Sequence, residues 1–132
     1  MDEPIWMDMS DALIFHDMEL SAHGGSSGVR DAGMLESALN RPRNLWVYEE
    51  VPPSLNRLAA AYAFGISSNH PFVDGNKRTA FVVSFSFLDI NGIEVTASQE
   101  EAYLTILALA AGEMNERQLT EWFDQHTAPL IR

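Results

Sequence analysis

Residues 70–78 of this 132-residue chain place a titratable base, a carboxylate, a glycine, an amide and two cations within nine residues, in the order His-Pro-Phe-Val-Asp-Gly-Asn-Lys-Arg. The imidazole of His70 is suited to act as a general base towards a hydroxyl nucleophile near neutral pH. The carboxylate of Asp74 is a hard oxygen ligand that can hold magnesium beside nucleotide phosphates. Singly, a His-Pro or an Asp-Gly-Asn sequence is typical of a turn. Together they favour a site that transfers a group to a hydroxyl.

The same segment predicts an anion site where a helix begins. Lys77 and Arg78 would lie in the first helical turn, where the helix dipole disfavours cations by about 0.3–1 kcal/mol. A bound phosphate resolves this conflict, because free backbone N–H groups and two cationic side chains would surround it. Gly75 lets the backbone approach the phosphates closely. The segment is not a P-loop, since no Ser or Thr directly follows Lys77.

Capping signals and apolar periodicity predict the helices that must position this segment. The first is expected from Ser10 to about Ala22, and the second from Asp31 until Arg41-Pro42 stops it. The third helix is expected over 55–68 after Ser54, and the fourth over 76–90. The fifth is expected over 98–112, where Ser98 and Glu101 would form a capping box. The sixth is expected to start at Asn115 with Gln118. The stretch 79–88 is rich in β-branched and aromatic residues, but about 15 apolar residues before a glycine are typical of a buried helix. Residues 93–96 are the only predicted strand.

These elements predict an all-α fold, a compact orthogonal bundle of about six helices. Residues 70–78 are expected to connect the two most apolar helices, which lie at the centre of the bundle. At 132 residues the chain is expected to form a single domain over 1–132.

Composition narrows the classes of function. Hydrophobic residues make up 46% of the chain and charged residues 20%, which is typical of a globular protein. A net charge of -11 argues against broad nucleic-acid or anionic-membrane binding. With no apolar run long enough to span a bilayer, no signal peptide and no cysteine, we expect a cytoplasmic protein. Six of the eight basic residues lie between positions 30 and 78, which would permit a local anion site.

Residues 70–78 match every specified position of the pattern His-Pro-Phe-x-(Asp/Glu)-Gly-Asn-(Gly/Lys)-Arg, and the chain therefore resembles the Fic superfamily. Lys77, where Fic adenylyltransferases have glycine, resembles the Doc (death on curing) branch. Phe81 stands where those adenylyltransferases usually carry a second arginine. Further segments similar to Doc-type sequences are His16-Asp17, Gly24-Gly25, Gly28-Val29-Arg30-Asp31, Leu35-Glu36-Ser37-Ala38, and Phe87-Leu88 with Asn91-Gly92.

The resemblance implies the Fic/Doc fold and a toxin of a toxin–antitoxin pair that uses ATP and Mg²⁺. It implies that His70 is the catalytic base, that Asp74 holds the magnesium, that Phe72 packs the loop onto the core, and that Gly75, Asn76, Lys77 and Arg78 bind phosphates. In the Doc branch the nucleotide presents its γ-phosphate. The expected reaction is therefore phosphoryl transfer to a threonine of elongation factor Tu, which arrests translation.

Two other interpretations remain open: an adenylyltransferase of the same fold, and a catalytically silent module that uses the loop only to bind an anion or a partner. Many Fic enzymes carry an inhibitory helix with the pattern (Ser/Thr)-x-x-x-Glu-(Gly/Asn), which this sequence lacks. We therefore expect inhibition in trans by a Phd-type antitoxin whose disordered C-terminal segment folds on binding, and no direct nucleic-acid contact. The candidate target or antitoxin contacts, expected in an irregular stretch before the third helix, are Arg41, Arg43, Trp46 and Tyr48.

Overall fold

In the computed structural model, which describes residues 2–131, those residues form six α-helices and one small sheet. The helices are α1 Met9–His23, α2 Ala32–Tyr48, α3 Leu55–Asn69, α4 Asn76–Ile90, α5 Gln99–Ala110 and α6 Glu116–Gln125. The all-α prediction is confirmed, and the segment 70–78 lies between the two central helices as expected: residues 70–75 connect α3 to α4, and residues 76–78 begin α4. No helix within residues 2–131 is long and apolar enough to cross a membrane.

Local capping residues determine where most helices begin. Ser54 and Ser98 each accept a hydrogen bond of 3.1 Å from the N–H three residues on, at the starts of α3 and α5. Asn115 and Gln118 form a reciprocal capping box at α6, with hydrogen bonds of 2.9 and 2.7 Å. Each of these side chains satisfies an N–H group that has no partner inside its helix. The predicted caps of these three helices are therefore confirmed, except that at α5 only the Ser98 half of the predicted Ser98–Glu101 capping box is present.

The start of α1 differs from the prediction, because Asp8 rather than Ser10 caps it. The Asp8 carboxylate accepts the N–H of Asp11 at 3.0 Å, and the Asp11 carboxylate accepts the N–H of Asp8 at 2.9 Å. The hydrogen bond from the Asp11 N–H lowers the pKa of Asp8. An aspartate pair thus forms the reciprocal box usually built from Ser or Thr with Glu.

The second helix is longer than predicted, since Pro42 does not stop it. Helix α2 continues to Tyr48 with Pro42 buried inside it. A proline in a helix interior removes one hydrogen bond and costs about 3 kcal/mol, and here tertiary packing offsets that cost. Beyond Pro42, the ring of Trp46 packs edge-on against Trp6 at 6.3 Å.

Helices α3 and α4 form the centre of the core and hold the two ends of the segment 70–78. Most side chains of α3 are buried, including Tyr62, whose ring lies 5.0 Å from that of Phe87 in α4. Gly65 allows α2 to approach α3 closely, since a Cβ there would lie 3.1 Å from the Cα of Ala38. The connection between the two central helices is therefore anchored at both ends in well-packed structure.

The sheet contains a strand that the sequence analysis did not predict. Strand β1, Ile93–Val95, pairs antiparallel with β2, Thr127–Pro129, with Glu94 opposite Ala128. The tail after α6 thereby packs back against the turn that follows α4. Residues 93–95 confirm the predicted strand, but β2 shows that it is not the only one among residues 2–131.

Candidate active site

His70 lies at the C-terminal end of α3 with a left-handed backbone, at φ 48 and ψ 55. It is the one non-glycine residue within 2–131 with a positive φ. Such a conformation costs about 1–2 kcal/mol and persists only where the surroundings hold it. The side chain of His70 is exposed at the mouth of a cleft. The strained backbone thus aims an accessible imidazole at solvent, as a base acting on an incoming hydroxyl requires.

Arg30 holds this conformation from outside the helix. Its guanidinium donates from Nε to the carbonyl of His70 at 2.6 Å and from Nη2 to the carbonyl of Asn69 at 2.8 Å. One side chain therefore satisfies two of the last carbonyls of α3, which no intrahelical N–H can reach. The cation also lies at the negative end of the helix dipole, where it is stabilising.

The segment 28–31 runs alongside the loop between α3 and α4 and is hydrogen-bonded to it. The carbonyl of Pro71 accepts the N–H groups of Arg30 and Asp31 at 2.8 and 3.0 Å. The N–H of Val73 donates to the carbonyl of Gly28 at 3.0 Å. These bonds form a short antiparallel bridge, so both faces of residues 71–73 are restrained, by the core and by this segment.

Beneath the loop lies His16, a residue to which the sequence alone assigns no role. It is 2% exposed, and its ring stacks on that of Phe72 with centroids 3.8 Å apart. Its Nε2 lies 2.8 Å from the carbonyl oxygen of Asp74. Phe72 is itself 1% exposed, which confirms that it packs the loop onto the core. His16 in α1 therefore supports the backbone on which Asp74 and Gly75 lie.

Asn76 braces the loop through its side chain. Its amide oxygen accepts the N–H of Phe72 at 2.9 Å, and its amide nitrogen donates to the carbonyl of Phe72 at 3.0 Å. The side chain thus has two partners inside the loop. These two bonds fix the position of residues 72–76 relative to one another.

The start of α4 differs from the other helix starts in the described part of the chain. Gly75 occupies its N-cap position with φ 79 and offers no side-chain cap, whereas each of the other five helices has one. The first backbone bond of α4 runs from the N–H of Thr79 to the carbonyl of Gly75 at 3.0 Å. The N–H groups of residues 76–78 precede that bond and are therefore available to an anion.

A cleft of about 360 Å³ connects these groups. His70 and residues 73–76 line it, and Lys77 and Arg78 add positive charge. His23, Gly24 and Tyr103 also line it, and the Arg78 guanidinium carbon lies 4.8 Å from the ring centre of Tyr103. The structure thus brings the predicted base, carboxylate and cations into one cavity.

Asp74 offers one carboxylate to that cleft. Its Oδ1 accepts the N–H of Gly75 at 2.9 Å and its Oδ2 accepts the N–H of Ser26 at 3.1 Å. Within residues 2–131 no group of three or more His, Asp or Glu side chains could hold a metal ion. A single oriented carboxylate fits a magnesium ion that takes its other ligands from phosphates and water.

The basic residues of positions 30–57 do not join this site through their charged groups. Arg41 pairs with Glu116 and lies over the ring of Phe64, 4.9 Å away. The other cations of α2 and α3 have partners elsewhere: Arg43 lies over Trp6, and Arg57 pairs with Glu49. Residues Arg41, Arg43, Trp46 and Tyr48 also lie in α2, which corrects the expected irregular stretch. Of the six basic residues between positions 30 and 78, Lys77 and Arg78 are the two that line the cleft.

Comparison with known proteins agrees with the geometry of the loop. A family model described as "Fic/DOC family" matches residues 6–88. The chain is 42% identical over 76 residues to "Toxin Doc" of Mycolicibacterium smegmatis, and the match covers 58% of each chain. It is 37% identical over 103 residues to "Protein kinase doc" of Escherichia phage P1, covering 78% of this chain and 80% of that protein. The chain therefore belongs to the Fic/DOC family.

Proposed function

We propose that this chain is a Doc-like toxin that transfers the terminal phosphoryl group of ATP to a serine or threonine hydroxyl of a protein target. The observation that carries the proposal is the shared cleft, in which the accessible His70 faces the uncapped start of α4 with Lys77 and Arg78. A base beside a phosphate site is the arrangement that transfer from a nucleotide to a hydroxyl needs. The relative named as a protein kinase supports the same reaction.

The residues have separate tasks in this reaction. His70 takes the proton of the target hydroxyl, whose oxygen then forms a bond to the terminal phosphorus. The bond from that phosphorus to the bridging oxygen breaks, and ADP leaves with the electron pair. Lys77, Arg78 and the N–H groups that begin α4 stabilise the negative charge on the phosphates. Magnesium held by Asp74 would supply further charge neutralisation.

Lys77 and Phe81 favour phosphoryl transfer over AMP transfer. Lys77 fills space that glycine leaves open in the adenylyltransferases and adds a charge that redirects the phosphates. Phe81, in place of a second arginine, stacks on Phe85 at 4.4 Å and contributes no phosphate ligand.

The proposed target is elongation factor Tu, and the proposed inhibitor is a Phd-type antitoxin. Two relatives with Doc names support a toxin–antitoxin pairing. The exposed rim around His70 and Val73 leaves room for an extended target segment to reach the base. We propose that the antitoxin acts by covering this rim.

Labelled ATP tests the proposal. Purified protein, Mg²⁺ and elongation factor Tu are incubated with ATP labelled at either the α- or the γ-phosphate. We expect label on the target from the γ-position alone, and none with His70→Ala. Transfer from the α-position would establish the adenylyltransferase alternative and overturn the kinase proposal.

Growth on expression in bacteria separates an enzyme from a silent module. We expect arrest with the wild-type chain and normal growth with His70→Ala at equal protein levels. If both are harmless and neither labels any protein, the chain is not the proposed toxin.

A further inference from the structure

Val73 is an exposed apolar residue beside the proposed base. Its side chain is 56% exposed, and it lines the cleft that His70 also lines. Within residues 70–78 it is the position that the family pattern leaves open. Its two neighbours are used within the protein, since Phe72 packs onto the core and the Asp74 carboxylate accepts two backbone N–H groups. The Val73 side chain is therefore available to another molecule.

The short antiparallel bridge explains why Val73 faces outward. Val29 pairs with Phe72, and the N–H of Val73 donates to the carbonyl of Gly28 at 3.0 Å. Successive side chains of an extended segment point to opposite faces, so the burial of Phe72 turns Val73 towards solvent. The backbone hydrogen bond to Gly28 holds Val73 in this orientation.

Gly28 leaves an open space beside Val73. A Cβ at Gly28 would lie 3.5 Å from Cγ2 of Val73, which is ordinary van der Waals contact. Because Gly28 has no Cβ, the methyl groups of Val73 border bare backbone. Its φ of 115 also disfavours any larger residue at this position. An apolar side chain from another molecule could therefore occupy the space and cover the Val73 methyl groups.

The rim beside Val73, formed by residues 24–29 and 70–73, carries no Asp, Glu, Lys or Arg, although the chain has a net charge of -11. Residues 24–29 are all exposed. The next residue, Arg30, already donates its guanidinium to carbonyls at the end of α3. A charged side chain placed against this rim would lose water without gaining a partner, whereas an apolar one is stabilised by burial. The rim therefore fits an apolar side chain.

We propose that Val73 is a specificity-determining residue that contacts an apolar side chain within two positions of the acceptor hydroxyl of the protein target. The inference rests on the proposed function and deepens it, because it gives the chemistry of the target segment. Val73 lines the cleft that the hydroxyl enters to reach His70. Two residues of an extended segment span about 7 Å, so residues flanking the acceptor lie over the rim.

A peptide library tests this assignment. Peptides with one threonine, in which two residues on each side are varied, are incubated with the protein, ATP and Mg²⁺, and the phosphorylated peptides are sequenced. We expect the wild type to prefer Val, Ile and Leu over Asp and Glu about tenfold at one of these positions. Val73→Ile should keep this preference. Val73→Thr should lose most of it, because a hydroxyl replaces one methyl group.

Val73→Lys is the sharper test, because a merely structural role for Val73 does not predict its result. The added ammonium should shift the preference at the same position to Asp and Glu. Val47→Lys changes a valine of α2 that is 67% exposed, and it should keep the wild-type preference. ATP is kept saturating, since the new cation borders the phosphate site. Identical preferences in Val73→Lys and the wild type would overturn the inference.

The intact target separates failure of this inference from failure of the proposed function. With elongation factor Tu as substrate, Val73→Thr should raise the KM for the target about fivefold and leave kcat and ATP affinity unchanged. If the wild type phosphorylates the target and the Val73 variants have the same KM, Val73 does not recognise the target and the proposed function stands. If the wild type phosphorylates neither peptides nor target, both are overturned. Thermal unfolding confirms that each variant is folded.

Discussion

The imidazole of His16 and the carbonyl oxygen of Asp74 lie 2.8 Å apart beneath the catalytic loop. A carbonyl can only accept, so Nε2 of His16 carries the proton that is donated. The contact joins residues 58 positions apart and fixes the peptide that precedes Gly75. One buried ring on α1 therefore sets the orientation of the residue that offers its carboxylate to the cleft.

Replacing His16 by phenylalanine should keep the ring but remove this donor. The Asp74 carbonyl would lose its partner, and we expect the free energy of unfolding to fall by about 1–3 kcal/mol. Turnover should fall as well, because the Asp74–Gly75 backbone is then free to move. Denaturant unfolding and the transfer assay measure the two effects. Asp17→Asn, on the exposed face of the same helix, is the control, and equal behaviour of the two variants would contradict a positioning role for His16.

Arg30→Lys tests whether the guanidinium positions the base. A lysine ammonium cannot bridge the carbonyls of Asn69 and His70 as the planar guanidinium does. Losing a hydrogen bond from a charged group should reduce kcat about tenfold. The affinity for ATP should stay the same, since Arg30 does not line the phosphate cleft. A loss of ATP affinity at unchanged kcat would show that Arg30 acts in binding instead.

Gly25 and Gly24 form a matched pair for testing how closely the segment after α1 approaches Asp74. An alanine Cβ at Gly25 would lie 2.7 Å from Oδ2 of Asp74, whereas at Gly24 nothing lies within 4 Å. Both residues have a positive φ, so both alanine variants carry backbone strain. We expect Gly25→Ala alone to raise the magnesium concentration needed for transfer. Equal requirements in both variants would mean that Asp74 does not depend on this close approach.

The buried phenol of Tyr62 should make the protein less stable at alkaline pH. Burial raises the pKa of Tyr62 from 10.0 to about 12. Between these values the unfolded chain ionises while the folded chain does not, so the free energy of unfolding falls by about 1.4 kcal/mol per pH unit. Below pH 10 the phenol is neutral in both states, and this contribution to stability is fully present.

Tyr62→Phe should remove that pH dependence while lowering stability at neutral pH by about 1–3 kcal/mol, since the N–H of Met7 loses its acceptor at 2.9 Å. Urea unfolding at pH 7 and pH 11 measures both effects. Tyr48→Phe changes an exposed side chain and is the control. If the variant and the wild type lose stability in parallel above pH 10, Tyr62 is not the responsible group.

The helices that the sequence predicts correctly are those whose signals are local. Ser54, Ser98 and Asn115 cap helices through bonds to residues three positions away, and such patterns are readable without knowing the fold. The loop 70–78 is likewise a contiguous segment. Its side chains meet in one cleft because α3 ends and α4 begins within seven residues of each other.

The features that the sequence does not reveal depend on distant contacts. A proline such as Pro42 usually ends a helix. Here α2 continues past it because the helix packs against the core, which the local sequence does not show. Strand β2 has three residues including a proline, too few for any periodic pattern. The roles of His16 and Arg30 follow from partners 58 and 40 positions away. Neither spacing nor residue type could have assigned them.

The mass of the modified target tests the central claim most directly. Purified elongation factor Tu is incubated with this protein, ATP and Mg²⁺, and its intact mass is then measured. We expect a gain of one phosphoryl group with the wild type and no gain with His70→Ala. A gain of one adenylyl group, or an equal gain with His70→Ala, would contradict it.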